Sequence, residues 1–215
     1  MQKDLGAYRK TYSKSELVEE DISENPMELF KLWFYEVEQS EGIEEPNAMT
    51  VATIGLDGYP KSRVVLLKKY THEGFIFYTN YDSEKGQAIA KNPEVCISFF
   101  WSTVERQVII KGKAEKIAEN LSDGYFESRP RGSQLGAMVS NQSQPIASRE
   151  ELELGLRTLE AEMEGKELRR PQHWGGYLVR PVSIEFWQGR PNRLHDRILY
   201  VLEDNFDWKI ERLQP

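Results

Sequence analysis

Between residues 186 and 200 the chain reads FWQGRPNRLHDRILY, and three arginines, a histidine and an aspartate fall between positions 190 and 197. Arg193, His195 and Arg197 alternate, so on a strand they point one way while Leu194, Asp196 and Ile198 point the other. A solvated sheet face and a pocket wall both satisfy that pattern. As a pocket wall it presents two guanidiniums, which bind anions, and an imidazole, which changes charge near neutral pH. A second group lies in YFESRPRGSQLG, where Tyr125, Arg129 and Ser133 recur at spacing four. Pro130 interrupts a continuous helix there but leaves the three close in the chain. A guanidinium with paired donors and two hydroxyls with single ones make a phosphate receptor. The alternative is a helix end carrying surface polar residues.

Further candidates are dispersed. KSRVVLLKKY carries Arg63 and Lys68, five apart and therefore on opposite faces of a regular strand. One such strand can serve two anionic sites, or simply end in two snorkelling charges. YTN at 78–80 precedes SEKGQAIA, which sets Lys85 near the start of a short helix, where backbone N–H groups favour an anion. SNQSQ at 140–144 offers amide and hydroxyl groups in a loop, and Gln107 in ERQVII is a polar residue in a strand. His72, His173 and His195 have no ligand spacing to one another or to Cys96, which argues against a zinc site. There is no G-x-S-x-G, phosphate-binding P-loop or G-x-G-x-x-G pattern to suggest a hydrolase, an NTPase or a Rossmann site.

The elements that must position these residues are mostly strands. NAMTVATIG, KSRVVLLKKY, GFIFYTN, EVCISFFW and ERQVIIKGKAEKI are apolar or alternating runs separated by turn signals at Asp57-Gly58, THEG and Asn92-Pro93. Short connections imply antiparallel pairing, and five such strands favour closure into a barrel. WGGYLVRPVSIEFWQG, RLHDRILYVLE and FDWKIERL add three more. Helices are expected after Asn25, with Pro26 at the first position and Leu29, Phe30, Trp33 and Val37 on one face, and in AENLSDGYFESR, GSQLGAMVS and SREELELGLRTLEAEMEG. The expected plan is α+β: residues 1–24 form a loose, polar arm, and 25–215 form one antiparallel barrel domain decorated by helices.

The 215 residues suffice for a real core without cross-links, and 39% hydrophobic with 29% charged is ordinary globular composition. A net charge of −7 argues against nucleic acid as the main partner, so any anion must be held by a local basic cluster. The single cysteine, Cys96, lies in an apolar run and allows no intrachain disulfide. No signal-peptide-like or membrane-spanning stretch is read, and the expected setting is cytoplasmic.

RVVLLK, FYTN, ERQV, YFESRPRGSQLGAMVSNQS, WGGY, EFWQG and NRLHDR, in this order and spacing, closely resemble the pyridoxamine 5′-phosphate oxidase family, also called pyridoxine 5′-phosphate oxidase. The resemblance runs from about residue 8 to the C-terminal ERLQP. It implies an FMN-binding split β-barrel and a homodimer with FMN at the subunit interface. It also implies oxidation of pyridoxamine 5′-phosphate or pyridoxine 5′-phosphate to pyridoxal 5′-phosphate, with O₂ as acceptor and H₂O₂ as by-product. Two phosphates must be held at once, which accounts for scattered basic clusters on an acidic chain. By this resemblance FMN meets Arg63, Val64, Val65, Leu66, Leu67 and Lys68, then Tyr78, Thr79, Lys85 and Gln107, with Gln142, Ser143, Trp187 and Arg197 from the partner subunit. The substrate phosphate goes to Lys68, Tyr125, Arg129 and Ser133. Arg193, Leu194 and His195 lie at the pyridine ring, and Arg9 to Tyr12 close the site from the arm.

In that setting Arg193 pins the ring, since a planar guanidinium stacks on an aromatic face. His195 hydrogen-bonds ring substituents and is a candidate to take a proton from the C4′ group, and Arg197 stabilises charge on the reduced flavin. Two departures stand out. Ser83-Glu84-Lys85 replaces the usual Ser-Arg-Lys, which predicts weaker FMN retention unless Glu84 turns outward; Glu45 stands where an aspartate is familiar. A flavin reductase on the same barrel, or a protein that binds pyridoxal 5′-phosphate or FMN without turnover, are the competing functions.

Overall fold

A computed structural model describes residues 3–215. Its elements in chain order are α1 (Pro26–Glu38), β1 (Ala48–Ile54), β2 (Pro60–Leu66), β3 (Lys69–Thr71), β4 (Gly74–Asn80), α2 (Glu84–Lys91), β5 (Glu94–Trp101) and β6 (Arg106–Lys116). There follow α3 (Glu119–Ser128), α4 (Arg131–Val139), α5 (Arg149–Glu162), β7 (Trp174–Gln188), β8 (Asp196–Leu202) and β9 (Trp208–Arg212). Strands run in the order β2-β1-β5-β6-β7-β4-β3, with β8 on β7 and β9 on β8. The registered pairs β3·β4, β4·β7, β7·β8 and β8·β9 are all antiparallel. This is the expected α+β class. No helix among the described residues is long and apolar enough to cross a membrane.

The long strand β7 pairs with β4 through 174–179 and with β8 through 183–188. Pro181, which has no N–H to donate, falls in the gap between these two ladders.

The chain forms two compact units. One comprises the described residues through Met49 together with Ile97–Lys111 and Pro181–Pro215. Its core is α1 against strands. Asn25 accepts from the Met27 N–H and caps the helix, Pro26 opens it, and Leu29, Phe30, Trp33 and Val37 are buried as their spacing requires. Phe30 meets Phe99 with centroids 5.4 Å apart, and Trp33 meets Phe186 edge-on at 5.1 Å. The other unit comprises Thr50–Cys96 and Gly112–Arg180. It buries Phe75, Phe77, Tyr177 and Val179, and a satellite cluster of Phe126, Leu135, Leu168 and Trp174 joins α3 and α4 to the start of β7.

Two strand expectations are corrected. KSRVVLLKKY is not one strand: β2 ends at Leu66 and β3 starts at Lys69, so the opposite-face argument for Arg63 and Lys68 lapses. Lys68 is exposed in the link, its N–H donating to the Ile76 carbonyl at 2.9 Å. RLHDRILYVLE is strand only from Asp196. Pro191 opens a 3-10 turn in which Asn192 and Arg193 take φ of 58° and 63°, and the Leu194 N–H closes back on the Pro191 carbonyl. A left-handed pair cannot carry strand alternation, so Arg193 and His195 are presented by a loop and Arg197 alone by β8.

Candidate active site

The first cluster grows from the β4–α2 corner. Ser83 caps α2 by accepting the Gly86 N–H, and its hydroxyl donates to the Asn80 carbonyl at 2.6 Å. A Cβ on Gly86 would lie 2.1 Å from the Tyr81 carbonyl oxygen, so the close seating of the helix start requires glycine. That seating aims Lys85 inward: its Nζ donates to Thr79 Oγ1 at 3.0 Å and to Gln142 Oε1 at 2.9 Å. Burial first, and the Arg63 charge second, pull the Lys85 ammonium below the ordinary lysine pKa. Its hydrogen bonds go to neutral oxygens, so its positive charge remains available to an anion. Arg63 stands beside it, 61% exposed.

Within the one chain, Gln142 accepts from Lys85 and Ser143 lies at this cluster. Ser143 takes the left-handed conformation at φ 72° and lines a small cavity with Thr53, Arg63 and Lys85. Val64 is 71% exposed along β2, Val65 and Leu66 are half-buried, and Leu67 is buried. Glu84 does not turn outward: its carboxylate bonds Lys61 and lies 3.5 Å from Arg63 Nη2. An anion seat is therefore present, and a carboxylate of the chain itself stands in it.

The second cluster lies on the next residue of the same strand. Alternation on β4 sends Thr79 to Lys85 and the Tyr78 ring to the other side. Tyr78 stacks on Tyr125 with centroids 3.9 Å apart and on Trp174 at 5.5 Å. Pro130 forces Arg129 into extended backbone at ψ 149°, ending α3 and starting α4. Tyr125 thus lies in the last turn of α3, Arg129 at its C-terminal cap and Ser133, exposed, in the first turn of α4. The Arg129 guanidinium sits 4.7 Å from the Trp174 ring centre. Its Nη1 is buried and has no hydrogen-bond partner among the described residues. An unpaired charged donor is costly to bury, and a phosphate oxygen satisfies it.

The third cluster belongs to the unit containing the arm. His195 lies with its ring centre 4.7 Å from Trp187 and 5.8 Å from Tyr12, and Tyr12 meets Trp187 edge-on at 5.7 Å. The Arg190 N–H donates to His195 Nδ1 at 3.0 Å. Burial first, then the Arg193 charge, lower the imidazole pKa, against a smaller pull upward from Asp196. Arg193 and Leu194 are exposed on the left-handed turn. Arg197, opposite Trp187 in the β7·β8 ladder, donates to Glu185 at 2.8 Å and to the Gln214 carbonyl at 2.8 Å. Gln107 donates to Ser98 at 3.4 Å, and Arg9 bonds back to the Gly6 carbonyl within the arm.

Two contributors escaped sequence reading. Trp174 supplies the platform for Arg129, and the WGGY motif signalled an aromatic there but no partner. Glu105, 1% exposed, sits in a charged ERQ triplet that gives no sign of burial.

A family model described as "Pyridoxamine 5′-phosphate oxidase" matches residues 36–161, and one described as "Pyridoxine 5′-phosphate oxidase C-terminal dimerisation region" matches 174–215. A pyridoxine/pyridoxamine 5′-phosphate oxidase of Flavobacterium psychrophilum is 69% identical over 213 residues, covering 99% of this chain and 100% of that protein. The one of Christiangramia forsetii is 54% identical over 215 residues, with both chains covered in full. Among solved structures, PhzG from Burkholderia lata 383, in complex with tetrahydrophenazine-1-carboxylic acid, superposes with a TM-score of 0.86 at 29% identity, covering 94% of this chain and 100% of that one. The fold is the antiparallel split barrel decorated by helices that the motifs implied. On full-length identity and on both matched regions, the chain belongs to the pyridoxamine 5′-phosphate oxidase family.

Proposed function

We propose that this protein is an FMN-dependent oxidase converting pyridoxamine 5′-phosphate and pyridoxine 5′-phosphate to pyridoxal 5′-phosphate. The observation that carries the substrate assignment is the buried, unpartnered Nη1 of Arg129 over Trp174, beside Tyr125. Arg129, Tyr125, Ser133 and Lys68 hold the substrate phosphate. Lys85, Arg63, Thr79, Gln142 and Ser143 suit the FMN phosphate, since Lys85 and Arg63 keep cationic donors aimed at a seat that Glu84 already marks as anionic. The run from Arg63 to Lys68, together with Tyr78 and Gln107 and with the partner subunit's Trp187 and the partner subunit's Arg197, completes the cofactor's surroundings.

FMN, when bound, supplies the acceptor for the hydride leaving C4′ and passes the electrons to O₂, yielding H₂O₂. The chain's task is placement. Arg193 and His195 address the pyridine ring, with Arg193 presenting a stacking face from its left-handed turn. Because Nδ1 already accepts from Arg190, neutral His195 carries its proton on Nε2 and donates there. It is therefore a poor base at that atom, which revises the role expected from sequence. Tyr12 and Arg9 act from the arm. We further propose a homodimer in the cytoplasm with FMN at the interface, in line with the matched dimerisation region and the exposed Val64 edge of β2.

The test is the visible spectrum of the FMN-loaded protein without oxygen, before and after adding pyridoxine 5′-phosphate. Bleaching, with colour returning in air, is expected. No bleaching with either substrate in protein shown to hold FMN overturns the reading.

A further inference from the structure

The arm residues around Tyr12 are held by a group outside every cluster described above. Glu105 lies in the β5–β6 connection, its side chain only 1% exposed. One carboxylate oxygen accepts the backbone N–H of Ser13 at 2.8 Å and of Lys14 at 3.0 Å; the other pairs with Lys10 Nζ at 3.1 Å. These three contacts bracket Tyr12. Burial alone would raise the Glu105 pKa, but the two amides and Lys10 together bring it below the ordinary value, so the latch is a carboxylate at neutral pH.

The backbone of the same residue holds the opposite wall. Glu105 is left-handed at φ 59°, and its carbonyl accepts the Gly189 N–H at 2.8 Å and Gln188 Nε2 at 3.2 Å. Gly189 is the surface on which the Tyr12 ring rests: a Cβ there would lie 2.8 Å from Tyr12 Cγ. The next residue, Arg190, fixes His195 through its N–H. A non-glycine residue held left-handed and buried with a charge persists only where its surroundings enforce it. Glu105 therefore grips the arm with its side chain and the histidine loop with its main chain.

We propose that Glu105 is a positioning residue for the reaction, seating Tyr12 against His195 and Trp187 so that the arm covers the substrate ring. This rests on the oxidase reading above. The variants are Glu105→Gly, which removes the carboxylate while glycine accepts the left-handed backbone without strain, and Glu105→Gln, which keeps an acceptor but not the charge. Two readouts are used: hydrogen exchange at the Ser13 and Lys14 amides, with Val108 and Ile110 as internal controls, and the separate KM and kcat for pyridoxine 5′-phosphate.

In Glu105→Gly, the two arm amides should lose protection while those of β6 keep theirs. KM should rise about tenfold, with a much smaller change in kcat, as expected for lost ground-state binding. Glu105→Gln should fall between wild type and Glu105→Gly in both readouts. Retained protection at 13 and 14 in Glu105→Gly overturns the latch, and lost protection with an unchanged KM overturns its role toward substrate. Wild-type protein that holds FMN but turns over neither substrate overturns the oxidase reading instead, and exchange at 13 and 14 still decides the seating of Tyr12.

Discussion

The Arg190 backbone N–H and His195 Nδ1 lie 3.0 Å apart, a main-chain donor aimed at one ring nitrogen of the histidine. A nitrogen that accepts cannot carry the proton in the neutral ring, so Nε2 carries it and is the ring's donor. Glutamine places its amide near the Nε2 position and asparagine near Nδ1. His195→Gln should therefore retain at least about fivefold more activity than His195→Asn, the worth of one hydrogen bond of roughly 1 kcal/mol. Equal losses in steady-state kinetics would return His195 to the role of base.

The same histidine makes stability depend on pH in a defined direction. Its folded pKa lies below 6.5, depressed first by burial and then by Arg193. As pH falls through 6.5 the unfolded chain binds the proton first, so stability is lost from there down to the folded pKa and is unaffected above. Urea midpoints measured from pH 5 to 8 should decline on the acid side in wild type, and His195→Gln should flatten that part of the slope.

In the proposed FMN site, Glu84 competes for the cations assigned to the cofactor's phosphate. It pairs with Lys61 and Arg63 in a half-exposed setting, where such pairs contribute about 0.2–1 kcal/mol. Fluorescence titration of apoprotein should show Glu84→Gln tightening FMN binding by about two- to fivefold at low salt, with the gap narrowing as salt screens the charges. Glu84→Arg should tighten it further. A looser or unaltered dissociation constant in both variants would show that the carboxylate does not contest the seat.

How far the sequence carried this reading depended on the range of the determining contacts. The α1 cap at Asn25 and the break at Pro130 follow from local rules and both are found, with Tyr125 and Arg129 each lying near the Trp174 ring. The left-handed turn at Asn192 and Arg193 was missed because RPNRLHD alternates like a strand while Pro191 and the Arg190–His195 bond enforce a loop. The inward turn of Glu84 and the burial of Glu105 are set by residues 23 and 92 positions away in sequence, which no local pattern encodes.

The phosphate receptor proposed at Arg129 predicts a loss specific to phosphorylated substrates. Lysine keeps the charge but neither the planar contact with Trp174 nor the paired donors. Charge-assisted hydrogen bonds contribute about 1.5–3 kcal/mol, so Arg129→Lys should raise KM for pyridoxine 5′-phosphate about ten- to a hundredfold. Turnover of unphosphorylated pyridoxine, however slow, should be unaffected. A matching loss with both substrates would place Arg129 elsewhere in the reaction.

The proposed function gives Arg197, which already pairs with Glu185, a second duty that a single substitution confuses with the first. Its Nε donates to Glu185, whose side chain is 14% exposed, so Arg197→Leu strands a largely enclosed carboxylate as well as removing the cation that the proposed site sets beside the cofactor. The stranded group should cost about 1–3 kcal/mol and lower Tm by roughly 2–10 °C in a chain of this size. Adding Glu185→Gln removes the uncompensated charge and should recover most of that loss. It should not recover the rate of anaerobic flavin reduction, which should stay at least about tenfold below wild type if the guanidinium stabilises charge on the reduced ring. Stopped-flow reduction and thermal unfolding of the single and double variants separate the two. A double variant that regains both would make Arg197 purely structural.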